Sequence, residues 1–475
     1  MRSPVDASQD ARPPIVPPKP PARADMVGLL TYARLFRRDI LSAQPARLYR
    51  AWMAAFRTPF FRSYLINQPE LIQTVLKDRP DDFPKSGRVG EGLRPLLGAS
   101  VFLTNGDEWK RQRRIIDPAF EGGRLKQIFP AMLAASEAAV ARMGQAAGQD
   151  EVEIEEITSF AAADVIFRTL FSIPIEDQVA ARVFHEFRLY QRTQPILNLA
   201  AFVPLPRWMP RLFRRDTRRT AASIRRLITG LTNARMAAIK AGTAPDDLAT
   251  KIMTTPDPET GQTFTPAEMV DQVAIFFLAG HETSASALAW ALYLMAMDGE
   301  TQTRIRAEAD AIWGADTPTF SDVSKAKFTR DVFREALRLY PPVPMMVREN
   351  SCPERFRDRD IDPGSQIVLS PWHLHRHNRL WERPDEFDPD RWKTPNGKAC
   401  QRDAFIPFSA GSRVCTGAGF AMIEGVLLLA RLVQAYQFEL VPDRPAMPVA
   451  HLTVRGKDGI WLKVRARDGA PGPES

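Results

Sequence analysis

One cysteine of the chain lies in a context that can hold a reactive thiolate. Cys415 belongs to the segment FSAGSRVCTG, which runs from Phe408 to Gly417 and precedes an apolar helical stretch. The positive end of a following helix stabilises a thiolate. Gly411 and Gly417 allow the backbone to approach a cofactor closely. A buried structural cysteine in a glycine-bearing turn is the alternative, but the complete ten-residue pattern favours a metal-ligating thiolate.

A second polar group interrupts an otherwise apolar helix. Gly280, Glu282 and Thr283 lie near the middle of residues 266–297, where an acid beside a hydroxyl can relay protons. Read alone, these are more simply helix-interior polar residues that face a neighbouring element. The helix should begin after Thr265 with a capping box and end at Asp298, and its apolar residues on nearly all faces predict a buried position.

Charged and aromatic residues recur at helical spacing elsewhere. Glu335 and Arg338 share one helix face, as do Trp109 and Arg113. Such pairs are usually solvated surface pairs when they stand alone. Arg391, in the segment FDPDRW, is a candidate third member for the first pair.

The elements that must position these residues are mainly helical. The pattern predicts helices over 105–116, 124–146, 155–172, 266–297 and 327–340, and a last helix that starts after Cys415 and ends near Tyr436. Strands are predicted over 59–66, 355–370 and 451–464, and the glycine-punctuated segment 87–100 is predicted to be irregular.

Together these segments resemble the cytochrome P450 family, over roughly residues 28–465. The pattern F-x-x-G-x-R-x-C-x-G is the haem-binding signature of that family, and it is complete here. The resemblance implies a mainly α fold with small β-sheets in a single large domain. It also implies protohaem IX (haem b) as cofactor and the insertion of one oxygen atom from O2.

The resemblance also assigns roles to individual residues. Cys415 would be the axial ligand of the haem iron, Phe408 and Gly411 would lie beside it, and Glu335, Arg338 and Arg391 would form a structural triad that fixes the cysteine loop. Gly280 would leave room for O2, Thr283 would hydrogen-bond the oxygen and Glu282 would resupply protons.

The residues expected to contact the haem propionates are Trp109, Arg113, Arg348 and Arg413. His281 is expected to be a packing or relay residue. No metal is assigned to His373, His375 and His377, and His375 is expected to be structural.

Composition and charge restrict the remaining possibilities. The chain has 475 residues, a net charge of +8 and three widely spaced cysteines, which suit a reducing cytoplasm and exclude a disulfide framework. No nucleic-acid-binding module, signal peptide or membrane span is recognisable. We expect a monomer with a disordered proline-rich arm over 1–25, the haem domain over 26–466 and a flexible tail over 467–475.

The expected activity is O2-dependent hydroxylation of a lipophilic substrate, such as a fatty acid, terpenoid or steroid-like molecule. A ferredoxin or flavodoxin-like partner with its reductase would supply electrons, attracted by Lys110, Arg111, Arg114 and Arg402 on the cysteine side. The apolar loop 196–210 is a candidate entry gate that contacts membrane weakly. A peroxide-driven haem-thiolate enzyme and a haem-binding sensor or carrier are the alternatives, and the intact Glu282–Thr283 pair speaks against both.

Overall fold

The computed structural model describes residues 13–57, 61–193 and 215–467. Helices account for most of these residues, and the strands form small separate sheets, which confirms the expected fold class. The helices are α1 Leu29–Arg38, α2 Pro69–Gln73, α3 Gly87–Leu97, α4 Gly106–Ile116, α5 Gly122–Ala146, α6 Ile154–Phe171, α7 Gln178–Thr193, α8 Arg215–Lys240, α9 Leu248–Thr254, α10 Pro266–Met297, α11 Gly299–Ile312, α12 Phe320–Lys325, α13 Lys327–Leu339, α14 Pro371–Leu374, α15 Pro395–Asp403 and α16 Ala418–Ala435.

The described strands are β1 Met53–Arg57, β2 Arg62–Ile66, β3 Val152–Glu153, β4 Met346–Glu349, β5 Glu354–Phe356, β6 Arg359–Ile361, β7 Gln366–Leu369, β8 Tyr436–Leu440, β9 Pro448–Ala450, β10 Val454–Gly456 and β11 Trp461–Ala466. The largest described sheet has four strands in the order β1-β2-β7-β4, with β2 and β7 parallel and the other pairs antiparallel. The remaining described sheets pair β3 and β8 with β11, β5 with β6, and β9 with β10.

The long helix α10 forms the centre of the fold. Its first turn carries the predicted capping box, in which Thr265 and Glu268 satisfy each other's backbone amides. Most of its residues are buried, and it packs against α6, α8, α13 and α16. This central position allows polar residues in the middle of α10 to face an internal cavity.

Segment 87–100 differs from the expectation, because residues 87–97 form helix α3 although the stretch contains several glycines and Pro95. Leu93, Leu96 and Leu97 are buried together, and this apolar spacing stabilises the helix more than glycine destabilises it. Arg225 of α8 donates a hydrogen bond to the carbonyl of Leu96, which satisfies one of the open groups at the helix end.

The proline-rich segment also differs from the expectation where it is described. Residues 13–25 lie against the body of the protein instead of forming a disordered arm. The backbone N–H of Phe387 donates to the carbonyl of Ile15 at 2.8 Å, and Tyr340 Oη donates to the carbonyl of Pro18 at 2.8 Å. Lys19 forms an ion pair with Asp385 at 2.6 Å. Residues 1–12 and 468–475, and the proposed gate loop 196–210, lie outside the described residues.

Among the described helices, α16 is long and apolar enough by composition to cross a membrane. Of this stretch, 56% is buried inside the fold. Its neighbours are α5, α10, α11 and α13, so it packs as a core helix of the domain.

Candidate active site

The cysteine loop is held by short-range hydrogen bonds and by one close backbone approach. The backbone N–H of Cys415 donates to the carbonyl of Phe408 at 2.9 Å, and α16 begins three residues after the cysteine. Gly411 has a φ of +69°, and a Cβ there would lie 1.9 Å from the carbonyl oxygen of Leu76. Gly411 is therefore required for contact with the Leu76 backbone, and this differs from the expected reason, which was approach to a cofactor.

The Cys415 thiol is exposed on the wall of a single large cavity of about 1310 Å³. Burial away from bulk water raises the pKa of the thiol, while a hydrogen bond from the Gly417 backbone and the charge of Arg113 lower it. Thr283, Gly280 and Phe408 line the same cavity. The fold thus places the candidate metal ligand and the candidate proton-handling hydroxyl on walls of one internal space.

Three cationic side chains surround Trp109 at the edge of this cavity, and a fourth, Arg348, lies beside Lys85. Lys85, Arg113 and Arg413 lie 5.6, 5.9 and 4.9 Å from the Trp109 ring centroid. Arg348 is the fourth cation, and its charge helps to lower the pKa of Lys85 to about 6, although burial is the larger cause. Such clustering of like charges is costly unless an anion is bound between them.

Arg113 and Arg413 use part of their hydrogen-bonding capacity on protein groups, whereas Arg348 has a buried donor without a partner among the described residues. Arg113 pairs with Asp117 at 2.9 Å and donates to the carbonyl of Val414 at 2.7 Å. Arg413 donates to the carbonyl of Pro80. The buried Nε of Arg348 has no hydrogen-bond partner among the described residues, and burial lowers its pKa to about 10. The cluster fits the carboxylates of a haem, because carboxylate oxygens would satisfy these donors.

Lys85 was missed by sequence reasoning. It precedes α3, and its Nζ donates to the carbonyls of Val101 and Thr104 at 2.6 and 2.9 Å. Nothing in its local sequence separates it from surface lysines. Only the packing of this segment beside Trp109 brings it to the cation cluster.

The triad residues Glu335, Arg338 and Arg391 are brought together in the interior. Arg338 binds both carboxylate oxygens of Glu335 at 2.7 and 2.9 Å, and Arg391 binds Oε1 of the same carboxylate at 2.8 Å. Burial by itself raises the pKa of Glu335, but the two guanidinium groups lower it more, so the net shift is downward.

The remaining guanidinium hydrogens of Arg338 and Arg391 bind backbone carbonyls of residues 375–386. Arg338 reaches the carbonyls of His375 and Pro384, and Arg391 reaches that of Glu382. His375 Nε2 in turn accepts the backbone N–H of Ile406 at 2.9 Å. The triad is therefore connected to the cysteine loop through the segment that it holds.

The three neighbouring histidines do not converge on one point. His373 hydrogen-bonds Ser370, His375 accepts from Ile406, and His377 stacks on Trp52. Residues 371–374 are helical, so the alternation expected for a strand is absent. The described part of the chain contains no group of His, Cys, Asp or Glu side chains arranged to hold a metal ion.

The polar residues of α10 have specific partners. Thr283 Oγ1 donates to the carbonyl of Ala279 at 2.6 Å. Glu282 Oε1 accepts from Thr453 at 2.7 Å and from Arg455 at 2.6 Å, and its Oε2 accepts from Gln191 at 3.2 Å. Sequence reasoning did not anticipate this ion pair, which holds the carboxylate beside the β9–β10 turn.

Gly280 and His281 both pack against α6. A Cβ on Gly280 would lie 2.4 Å from Ile166 Cδ1, so the missing side chain makes room for Ile166. Gly280 also lines the large cavity, and its expected role of leaving room for O2 stays a prediction. His281 Nε2 lies 2.7 Å from Ser159 Oγ, and burial lowers the pKa of His281 to about 3. His281 is thus a neutral packing residue.

A buried carboxyl that sequence reasoning missed lies behind α10. Glu424 of α16 is 1% exposed, and its Oε2 lies 2.6 Å from Ser284 Oγ. Burial raises its pKa to about 8, whereas the Ser284 hydroxyl lowers it by a smaller amount. Glu424 is therefore predominantly neutral at pH 7.

The basic residues expected to attract an electron donor carry their own counter-charges. Arg111 pairs with Glu268 at 2.6 Å, and Arg114 pairs with Asp257 at 2.6 Å. The other two ion pairs are Lys110 with Asp107 at 3.8 Å and Arg402 with Asp403 at 2.8 Å. These ion pairs reduce the net positive charge at the four side chains, and their role in attracting an electron donor stays a prediction.

Comparison with known proteins gives a consistent result. The family model described as "Cytochrome P450" matches residues 53–463. Cyclooctat-9-en-7-ol 5-monooxygenase of Streptomyces melanosporofaciens is 31% identical over 93% of this chain and 94% of its own length. Cytokinin hydroxylase of Arabidopsis thaliana is 28% identical over 85% of this chain and 78% of its own length. The crystal structure of the cytochrome P450DA heme domain has a TM-score of 0.78 and 25% identity, covering 95% of this chain and 98% of that one.

Proposed function

Because the chain belongs to the cytochrome P450 family of monooxygenases, we propose that it hydroxylates a terpenoid-like substrate with electrons from a separate protein partner. The observation that supports this proposal most directly is the shared cavity, whose walls include the Cys415 thiol, the Thr283 hydroxyl and many apolar side chains. A cavity of this composition fits a lipophilic ligand next to a thiolate-ligated cofactor.

The terpenoid class is supported by a relative and by the cavity lining. The 31% identical relative is named for its action on cyclooctat-9-en-7-ol, and the matched region covers nearly all of both chains. The lining includes Val343, Met345, Met346 and Leu452, and the flexible methionine side chains adapt to irregular apolar shapes. These features favour a bulky apolar skeleton over a flat polar one.

We propose protohaem IX as the cofactor, since its two propionates would match the cations at the edge of the cavity. When bound, the haem supplies activation of O2 at its iron. Cys415 would hold the iron, and Lys85, Arg348 and Arg413 would bind the propionates, which would restore the pKa of Lys85 toward its usual value. Thr283 donates its hydroxyl proton to Ala279, so its oxygen lone pairs can accept a hydrogen bond from a cavity water or ligand. Proton transfer through Glu282 requires its carboxylate to leave Arg455.

The electron donor is proposed to be a ferredoxin or flavodoxin-like protein with its reductase. Since Lys110, Arg111, Arg114 and Arg402 are ion-paired, docking should depend on salt less steeply than a free positive patch would. Quadruple replacement of these cations is therefore expected to change the electron-transfer rate only modestly. This view would be contradicted by a wild-type electron-transfer rate that falls steeply with salt, together with loss of that salt dependence in the quadruple variant.

The activity is tested with haem-loaded protein and three ligand classes: a terpene alcohol, a fatty acid and a steroid. Ligand binding is read from the ferric absorption shift, and products are identified after turnover with a surrogate ferredoxin system. The expected result is a hydroxylated terpenoid, and no product with the Cys415→Ala variant. Product formed only with hydrogen peroxide would favour a peroxide-driven enzyme. Ligand binding without product under either condition would favour a sensor or carrier.

A further inference from the structure

One imidazole on the cavity wall differs from the polar groups around it. Several other polar side chains that line this cavity already form hydrogen bonds within the protein: Thr169, Gln191, Glu282, Thr283, Thr453 and Arg455. The ring of His451 lines the same cavity and forms no hydrogen bond with the described residues. It is therefore available to a ligand.

The fold holds His451 on a rigid turn. Residues 451–453 connect β9 to β10, and Ala450 pairs with Val454 across the turn. The backbone N–H of Ala450 donates to Asp39 at 2.8 Å, and Thr453 Oγ1 donates to Glu282 at 2.7 Å. The backbone N–H of Val454 donates to the carbonyl of Pro342 at 3.0 Å. These hydrogen bonds fix the backbone on both sides of His451 and so limit the positions that its ring can take in the cavity.

The charge of the surroundings selects the kind of ligand. Burial and the guanidinium of Arg455 lower the pKa of His451, while the carboxylates of Asp39 and Glu282 oppose that shift. The ring is thus predominantly neutral at neutral pH, with one N–H donor and one nitrogen acceptor. Arg455, the cation among the described residues that acts on this ring, is paired with Glu282 and is not free to bind a ligand carboxylate. A hydroxyl, which both donates and accepts, matches the ring.

We propose that His451 recognises a hydroxyl group already present on the substrate, so that the enzyme acts on a lipophilic alcohol in preference to the parent hydrocarbon or its ethers. This inference rests on the proposed function and narrows its substrate class. It also implies that an earlier reaction, such as water capture during cyclisation or a first hydroxylation, supplies the substrate. Leu452, the adjacent apolar residue on the same wall, contributes contact area and no hydrogen bond.

The test uses haem-loaded wild type, His451→Phe, His451→Gln and Leu452→Ala, each checked first for an unchanged carbon monoxide difference spectrum. The probes are geranylgeraniol and its methyl ether, with affinities read from the ferric absorption shift. The wild type should prefer the alcohol, and His451→Phe should lose that preference by about three- to tenfold, as expected for one neutral hydrogen bond. His451→Gln should retain part of it. Leu452→Ala should weaken both ligands equally.

The outcomes separate this inference from the proposed function. Equal alcohol-to-ether ratios in wild type and His451→Phe, with clear binding of both ligands, would overturn the role of His451 and leave the hydroxylase proposal standing. Absence of any absorption shift with either probe and with the other ligand classes would contradict the proposed function, and the role of His451 would be rejected with it. A preference of the wild type for the ether would also overturn the role of His451, and the hydroxylase proposal would stand.

Discussion

The buried carboxyl of Glu424 should make the stability of this protein fall as pH rises. Glu424 is 1% exposed. Among the described residues its Oε1 has no hydrogen-bond partner, and its Oε2 accepts a hydrogen bond from Ser284. Its pKa is raised by burial from 4.5 to about 8. In the folded protein it therefore keeps its proton over a pH range in which the unfolded chain releases it.

The magnitude follows from proton linkage. Between the unfolded pKa near 4.5 and the folded pKa of about 8, the folded state binds more protons, so the free energy of unfolding decreases as pH rises. Each pH unit in this window corresponds to about 1.4 kcal/mol. Glu424→Gln removes the titrating proton. The stability of the variant relative to wild type should therefore increase by about 3 kcal/mol between about pH 5.5 and about pH 7.5.

Urea unfolding of the haem-loaded proteins at both pH values measures this difference. Imperfect packing of the glutamine amide adds a pH-independent offset, so only the change with pH is diagnostic. Ser284→Ala should preserve the pH slope, because it removes a contact that favours the charged carboxylate. Glu70→Gln, at an exposed position on α2, is the matched control for loss of one negative charge. Parallel stability profiles of wild type and Glu424→Gln would refute the reasoning.

Four other perturbations have defined outcomes. Glu335→Ala leaves two buried guanidinium groups without their carboxylate and should lower the free energy of unfolding by about 3–5 kcal/mol. The variant should bind less haem per protein, and full haem retention would exclude a role for the triad in holding the loop. Gly280→Ala should destabilise the fold because its Cβ meets Ile166, and Ile166→Val should rescue it in thermal unfolding; absence of rescue would contradict the packing role. Thr283→Ala should keep haem content and substrate affinity but lower product per reductant and raise hydrogen peroxide, and an enzyme that stays fully coupled would place the proton route elsewhere. Lys85→Met should speed haem transfer to apomyoglobin, and an unchanged rate would remove Lys85 from the propionate contacts.

The sequence by itself determined the features whose residues are close together along the chain. The cysteine loop is contiguous, so the candidate ligand Cys415 and the family could be recognised without coordinates. The capping box at Thr265 and the Glu335–Arg338 pair obey helical spacing, and the structure has both. Local rules failed for α3, where burial of three leucines outweighs the glycines that suggested an irregular segment.

Tertiary structure decided everything that depends on partners distant in sequence. Lys85 lies in the cation cluster, Arg455 forms an ion pair with Glu282, and Ile166 occupies the space beside Gly280. No local sequence pattern predicts these contacts. The state of Glu424 and the availability of His451 likewise depend on which groups surround them. The physical reason is that desolvation and Coulomb energies depend on distance in space and on the local dielectric, which sequence separation does not specify.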